Sequence, residues 1–298
     1  MRILLTGKTG QIGYELERSL ISVGEVFAPD RRQMDLTDTA QVREVIRMVK
    51  PDLIVNAAAY TDVRSAELDP AAAMQVNAVA PAVMAEEAKR LGASIIHYST
   101  DYVFDGTKST PYLEGDIPCP INHYGRSKLE GERAIADSGI PHWIIRTSWI
   151  YGMRGNNFLL TILRLAREKE TLEVVNDQFG APTWCRTVVL ATKDALQGIS
   201  KGSIASSGQL WPKELSGIYH LTAQGCTTWY GFARLALELT GTCTALLPIG
   251  TPKENVDVKR PLNSVLNCER WAHTFGKKLQ YWQVSAQECL FQDEILTY

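Results

Sequence analysis

The chain has 298 residues, a formal net charge of −2 and 45% hydrophobic residues, which suits one large globular domain or two modest ones. That balance gives no basic field for nucleic acid or anionic lipid, so a phosphate site must be built locally. No apolar run approaches a membrane span or a signal segment, and the scattered cysteines lack metal or redox spacing, which points to reduced thiols in the cytoplasm and to no metal centre.

Short apolar strands alternate with amphipathic helices in the first half. Ile3-Leu4-Leu5 reads as a strand and Ile12 to Leu20 as a helix. Val26-Phe27-Ala28 is a strand, and Val42 to Val49 a helix capped by Thr39 or Asp38. Leu53-Ile54-Val55 follows as a strand, then one long Ala-rich helix to about Leu91. Ile95 to Tyr98 is a strand, Leu129 to Ala136 a helix and Trp143-Ile144-Ile145 a strand. Near-continuous apolar strands alternating with helices predict an α/β fold, a Rossmann-type doubly wound parallel sheet covered on both faces. After Trp149 the rhythm loosens. Phe158 to Glu168 reads as a helix, Lys201 to Pro212 as a Gly/Ser-rich loop, and Gly217 to Leu221 as a strand returning to the sheet. The expected division is a dinucleotide-binding domain over 1–147, with a return of about 217–240. The rest of 148–298 would be mainly a smaller, interleaved substrate-binding lobe.

Gly7, Gly10 and Gly13 follow the first strand and open the first helix. Glycines there allow a sharp turn and a close backbone approach to a pyrophosphate, which the helix N-terminus then meets with free N–H groups. The second strand ends at Asp30-Arg31-Arg32. An acidic residue at this point holds ribose hydroxyls, whereas an arginine accepts a 2′-phosphate, so the sequence admits both NADPH and NADH. Asp35 and Leu36 are placed to flank the adenine.

Tyr124 and Lys128 are four apart, hence on one face of a helix. A phenol has a pKa of about 10, which a nearby ammonium lowers. Ser99 to Phe104 follows the fourth strand at the sheet edge where open α/β folds bind ligands, and a hydroxyl there reaches both a substrate oxygen and the tyrosine. Glycine loop, hydroxyl, then Tyr-x-x-x-Lys is the order of the short-chain dehydrogenase/reductases, and points to a nicotinamide-dependent oxidoreductase.

The resemblance is closer than that. Gly7 to Gly13, Asn56 to Thr61, Ser99 to Gly106, Tyr124 to Lys128, Arg146 to Trp149, Asn176 to Thr183, Gly217 to Leu221 and Arg260 to Ser264 together resemble the dTDP-4-dehydrorhamnose reductase family over nearly the whole chain. The resemblance implies NADPH-dependent conversion of dTDP-4-dehydro-L-rhamnose to dTDP-L-rhamnose. It implies that Thr100 aligns the substrate and tunes the tyrosine, Tyr124 donates the proton, and Lys128 holds the nicotinamide ribose and depresses the tyrosine pKa. It places Asp101, Tyr102, Phe104 and Trp149 at the sugar, and Gly10, Gln11, Ile12, Asp30, Asp35, Leu36, Ala59, Tyr60 and Thr61 along the dinucleotide.

Two departures stand out. Arg64-Ser65 occupies a position where the family commonly has Asp-Lys. Some members dimerise through a magnesium ion held by glutamates, and Arg186 stands at one such position; cation beside cation is unfavourable, so a metal-free monomer or weak homodimer is expected. The substrate diphosphate needs a local clamp in a slightly acidic chain, for which Arg260 and Asn157 are the candidates; Arg260 paired on the surface with Asp257 is the alternative. Other readings remain: reduction of another nucleotide-linked 4-keto-6-deoxy sugar, or a non-catalytic NADP-binding regulatory subunit. Nucleic-acid and membrane partners are not expected.

Overall fold

Runs such as Leu53-Ile54-Val55 have no polar side, so they are stable only when buried on both faces. The computed structural model, which describes residues 1–200, 211–252 and 258–291, buries them in this way. The first lobe runs β1 (Arg2–Thr6), α1 (Gln11–Ser19), β2 (Glu25–Phe27), α2 (Thr39–Val49), β3 (Leu53–Asn56), α3 (Val63–Leu68), α4 (Pro70–Met74), α5 (Ala80–Leu91), β4 (Ser94–Thr100), α6 (His123–Asp137) and β5 (His142–Thr147). There follow β6 (Ile150–Tyr151), α7 (Phe158–Glu168), β7 (Thr171–Val175), β8 (Phe179–Gly180), β9 (Thr183–Trp184) and α8 (Cys185–Ser200). The chain then forms β10 (Gly217–His220), β11 (Thr227–Thr228), α9 (Trp229–Thr240), β12 (Ala245–Ile249), α10 (Glu269–Phe275) and α11 (Trp282–Leu290). Among the described residues no helix is long and apolar enough to cross a membrane.

Six parallel strands form the main sheet in the order β2-β1-β3-β4-β5-β10. Successive side chains point to opposite faces. Ile3, Leu5, Val55 and Trp143 therefore join a core with α1, α8 and α10, while Leu4, Ile54, Ile95 and Ile144 join one with α2 and α5. Each such side chain contributes about 1.5–3 kcal/mol by burial. Strand order reverses between β1 and β3, and ligands bind at that switch point beyond the strand C-termini.

Several sequence expectations are refined. The long Ala-rich helix is broken at Asp69, whose φ of −134° and ψ of 76° are non-helical. Pro70 keeps the preceding residue out of the α region, and the Asp69 carboxylate then caps the next turn by accepting from the Ala72 amide. A π-helical turn at Gln75–Val79 separates α4 from α5. Asp38, not Thr39, caps α2, and α6 begins at His123, earlier than the apolar periodicity indicates. Of the stretch 217–240, β10 pairs with β5 in the main sheet, whereas α9 packs with α7, α11 and β7. Conversely α8 and α10, from the C-terminal half, pack on the first-lobe sheet. The loop expected at Lys201 to Pro212 lies outside the described residues except for Trp211, which packs on Trp143, and Pro212.

Candidate active site

A cavity of about 840 Å³ opens at the switch point and runs from the glycine loop to Trp149, Trp229 and Arg260. Its floor is the glycine loop. Gly7 has a φ of +79°, and a side chain there would lie 2.6 Å from the Ala58 amide nitrogen. Only glycine fits both the backbone and the space. Gly10 caps α1 with no side-chain hydrogen bond, and the first turn has no acidic residue, so its N–H groups are available to an anion. Gly10, Gln11 and Ile12 line the cavity. Gly13 does not; a side chain there would meet the Gly7 carbonyl at 2.0 Å, so its part is close packing of loop on helix.

At the far end the cavity is lined by Asp30, Arg31, Asp35 and Leu36. The Asp30 carboxylate accepts from the Arg32 and Gln33 amides, which shapes its own loop. Arg31 is largely exposed and lies 3.6 Å from Asp35, a pair weak enough to yield to a phosphate. Ala59, Tyr60 and Thr61 form the wall after β3. Asn77, on the π-helical turn, fixes that wall through both main-chain groups of Tyr60 and also donates to Ser127 Oγ on α6.

Thr100, Tyr124 and Lys128 all face this cavity. Asn122 caps α6 by accepting from the Gly125 amide, and a side chain at Gly125 would lie 2.1 Å from the Tyr102 carbonyl oxygen. That glycine lets the helix seat Tyr124 against the β4 terminus, with its ring edge-on to Tyr102. Burial pushes the Tyr124 phenol up to about 12, its hydrogen bond with Thr100 pulls it down by less, and the Asp101 charge raises it. The expected lowering by Lys128 is therefore not what dominates. Lys128 Nζ instead donates to the Tyr98 carbonyl at 2.6 Å and lies 3.2 Å from His97 Nε2. Burial lowers Lys128 to about 8, against the Glu132 charge, which raises it. Asp101 is buried with Oδ2 unpartnered, and burial raises its carboxyl to about 7 despite hydrogen bonds with Ser264 and Thr100. Such an oxygen beside the cavity suits a hydroxyl-bearing ligand.

The sequence of this chain matches the family profile described as the RmlD substrate binding domain over residues 1–295. It is 44% identical to the dTDP-4-dehydrorhamnose reductase of Burkholderia thailandensis, with 97% of this chain and 98% of that one covered. A solved dTDP-4-dehydrorhamnose reductase from Clostridium acetobutylicum superposes with a TM-score of 0.89 at 34% identity, covering 99% of this chain and 100% of the other. One from Bacillus anthracis in complex with NADP gives 0.87 at 30% identity, covering 98% and 99%. This chain belongs to the dTDP-4-dehydrorhamnose reductase family.

Within that family frame, the sugar end holds three surprises. Phe104 does not reach the cavity; it is fully buried, stacked on Tyr112 with the Arg146 guanidinium over its ring. Asn157 does not line it either. Its amide caps α7 by accepting from Leu160 N and donates to Gln11 Oε1 and the Gly152 carbonyl, so it is already used. Trp229, unmarked by any sequence signal, does line the cavity. It stacks on Trp149 at 3.5 Å and 5°, while Trp149 has a φ of +47°. Gly180 lies against the same Trp149 ring, where a side chain would come within 2.3 Å. Positive φ is costly for a bulky residue and marks a position that its surroundings enforce.

Tyr102 and Arg260 complete the rim. Asn122 Nδ2 donates to the Lys259 carbonyl, tying the Arg260 segment to the start of α6. Asp257, the alternative partner for Arg260, lies outside the described residues. Arg186 forms an ion pair with Glu15 on α1 at 3.1 Å. A guanidinium bound to that carboxylate does not fit a divalent-cation site there.

Proposed function

We propose that the chain reduces the C4 keto group of dTDP-4-dehydro-L-rhamnose to give dTDP-L-rhamnose. The observation that carries the reading is one cavity lined both by the uncapped start of α1 and by Thr100, Tyr124 and Lys128. NADPH supplies the hydride when bound along the glycine loop. Gln11 and Ile12, in the first turn of α1, would meet its pyrophosphate with main-chain N–H groups, while Gly10, whose own amide donates to the Gly7 carbonyl, closes the turn beneath it. Thr100 orients the keto oxygen, and the protonated Tyr124 phenol gives that oxygen its proton. Lys128 offers an ammonium N–H to the nicotinamide ribose. Comparing kcat/KM across dTDP-linked 4-keto-6-deoxy sugars tests the assignment; turnover confined to a different sugar, or absent with all, would reject it.

Arg31 reads the cofactor's 2′-phosphate in this account. Arg31→Ala should lower the NADPH-over-NADH ratio of kcat/KM by about 10-fold, the worth of one exposed charge-assisted hydrogen bond. An unchanged ratio assigns the phosphate to other groups. Arg260 meets the substrate diphosphate. Arg260→Ala should raise KM for the sugar nucleotide by about 10-fold or more without changing KM for NADPH. An unchanged sugar KM would move the clamp elsewhere.

A further inference from the structure

Thr6, Asn56 and His97 stand in one row across three neighbouring strands, since Thr6 pairs with Asn56 and Asn56 with His97 in the sheet register. All three are buried, and their side chains are joined: Thr6 Oγ1 lies 2.6 Å from the atom placed as Asn56 Oδ1, and the atom placed as Asn56 Nδ2 lies 2.9 Å from His97 Nδ1. The opposite edge of the imidazole, Nε2, faces Lys128 Nζ at 3.2 Å. A buried polar chain so complete beneath a cavity-lining lysine invites the question of what it does.

The hydrogen count answers it. A neutral imidazole has one N–H and one lone pair, and an ammonium only donates. With the Asn56 nitrogen toward His97, as placed, it would donate to Nδ1, the ring proton would sit on Nε2, and N–H would point at the ammonium. Amide nitrogen and oxygen are assigned from the network, and this network requires the Asn56 oxygen toward His97 and its nitrogen toward the Thr6 hydroxyl, which can accept. His97 then donates from Nδ1 and accepts the Lys128 proton at Nε2. Full burial keeps this imidazole neutral, holding it well below its ordinary range. The ammonium has three N–H groups. The Tyr98 carbonyl and His97 take two. The third is left for the cavity.

We propose that His97 is a positioning residue for the reaction: fixed by Asn56 as its Nδ1–H tautomer, it anchors the Lys128 ammonium so that a single N–H is presented to the cofactor and substrate site. The proposal rests on the functional reading of Lys128 given above. Without His97 the ammonium can rotate and loses one of its two fixed acceptors, and a lost hydrogen bond to a charged group corresponds to about 10–100-fold in rate or affinity.

Two amide substitutions separate the links of the chain. Glutamine reaches the Nε2 position and offers an oxygen to Lys128; asparagine reaches only the Nδ1 position. His97→Gln should therefore retain most of kcat, whereas His97→Asn should lose about 10-fold or more in kcat and weaken NADPH binding. Equal effects of the two, or an unaltered His97→Asn enzyme, would overturn the proposal. The tautomer is read separately in the unsubstituted protein by long-range ¹H–¹⁵N NMR of labelled histidine, which requires neither turnover nor a stable variant. A proton on Nδ1 with Nε2 as acceptor is expected, and a proton on Nε2 would also overturn it. Absence of turnover with every keto sugar would count against the proposed activity instead, and the tautomer measurement would still decide the arrangement of His97.

Discussion

Tyr124→Phe is expected to lower turnover by about 10²–10⁴-fold, the usual worth of general acid catalysis, while NADPH affinity stays close to that of the parent. The substitution isolates the proton. The ring is seated by Gly125 against the Tyr102 backbone and by edge-on packing with Tyr102, neither of which needs the hydroxyl. Thr100 keeps its contact with Asp101, to which it donates at 3.1 Å. Because burial holds the phenol up at about 12, it carries its proton throughout the neutral range, as an acid that must deliver one requires. Turnover and cofactor affinity measured on the same preparation check this; near-normal turnover would remove Tyr124 from the mechanism.

Glu132→Ala is expected to cost about 3–5 kcal/mol of stability, a fall in Tm on the order of 10 °C. Glu132 lies on α6, is fully buried, and accepts from Arg146 Nε and Nη2 and from Ser99 Oγ. Removing it strands the Arg146 charge, which is 1% exposed and lies over the Phe104 ring near the buried His220. The pair Glu132→Leu with Arg146→Met should be far less damaging than the sum of the single changes, since no charge is left unpaired. Thermal unfolding of Glu132→Ala, of the single changes Glu132→Leu and Arg146→Met, and of their combination measures both statements, and additivity would contradict the second. Glu132 also supports function. Its charge raises Lys128 against the larger lowering by burial, and the two together leave it at about 8. Without it the ammonium loses its proton at lower pH, so the alkaline limit of activity should move to lower pH.

What was legible in the sequence was local. The glycine loop announces itself because Gly7 must turn with positive φ and pass within a side chain's width of Ala58, demands that show in residue type alone. The strands declare themselves by apolar runs, and Tyr124 with Lys128 by helical spacing. What was hidden depends on faces and on distant partners. Phe104 sits in the Ser99–Phe104 tract that reaches the site, yet the backbone turn at Asp101–Val103 sends it into the core against Tyr112. Asn157 caps a helix with its amide oxygen, and the amide N–H groups that a phosphate would need are taken by Gln11 Oε1 and the Gly152 carbonyl. Trp229 meets Trp149 across a long stretch of chain, and nothing near either residue signals the other. The row from Thr6 to His97 exists only once the strand register is known. Interleaving of the lobes was expected, but not that α8 and α10 would be the segments to cross.

The most direct test of the account is turnover of the purified protein with NADPH and dTDP-4-dehydro-L-rhamnose, following nicotinamide absorbance and product together. The account predicts one NADPH oxidised per dTDP-L-rhamnose formed, with a rate that collapses in Tyr124→Phe although that variant still binds NADPH. Tight NADPH binding with no sugar reduction by the unsubstituted protein would contradict it.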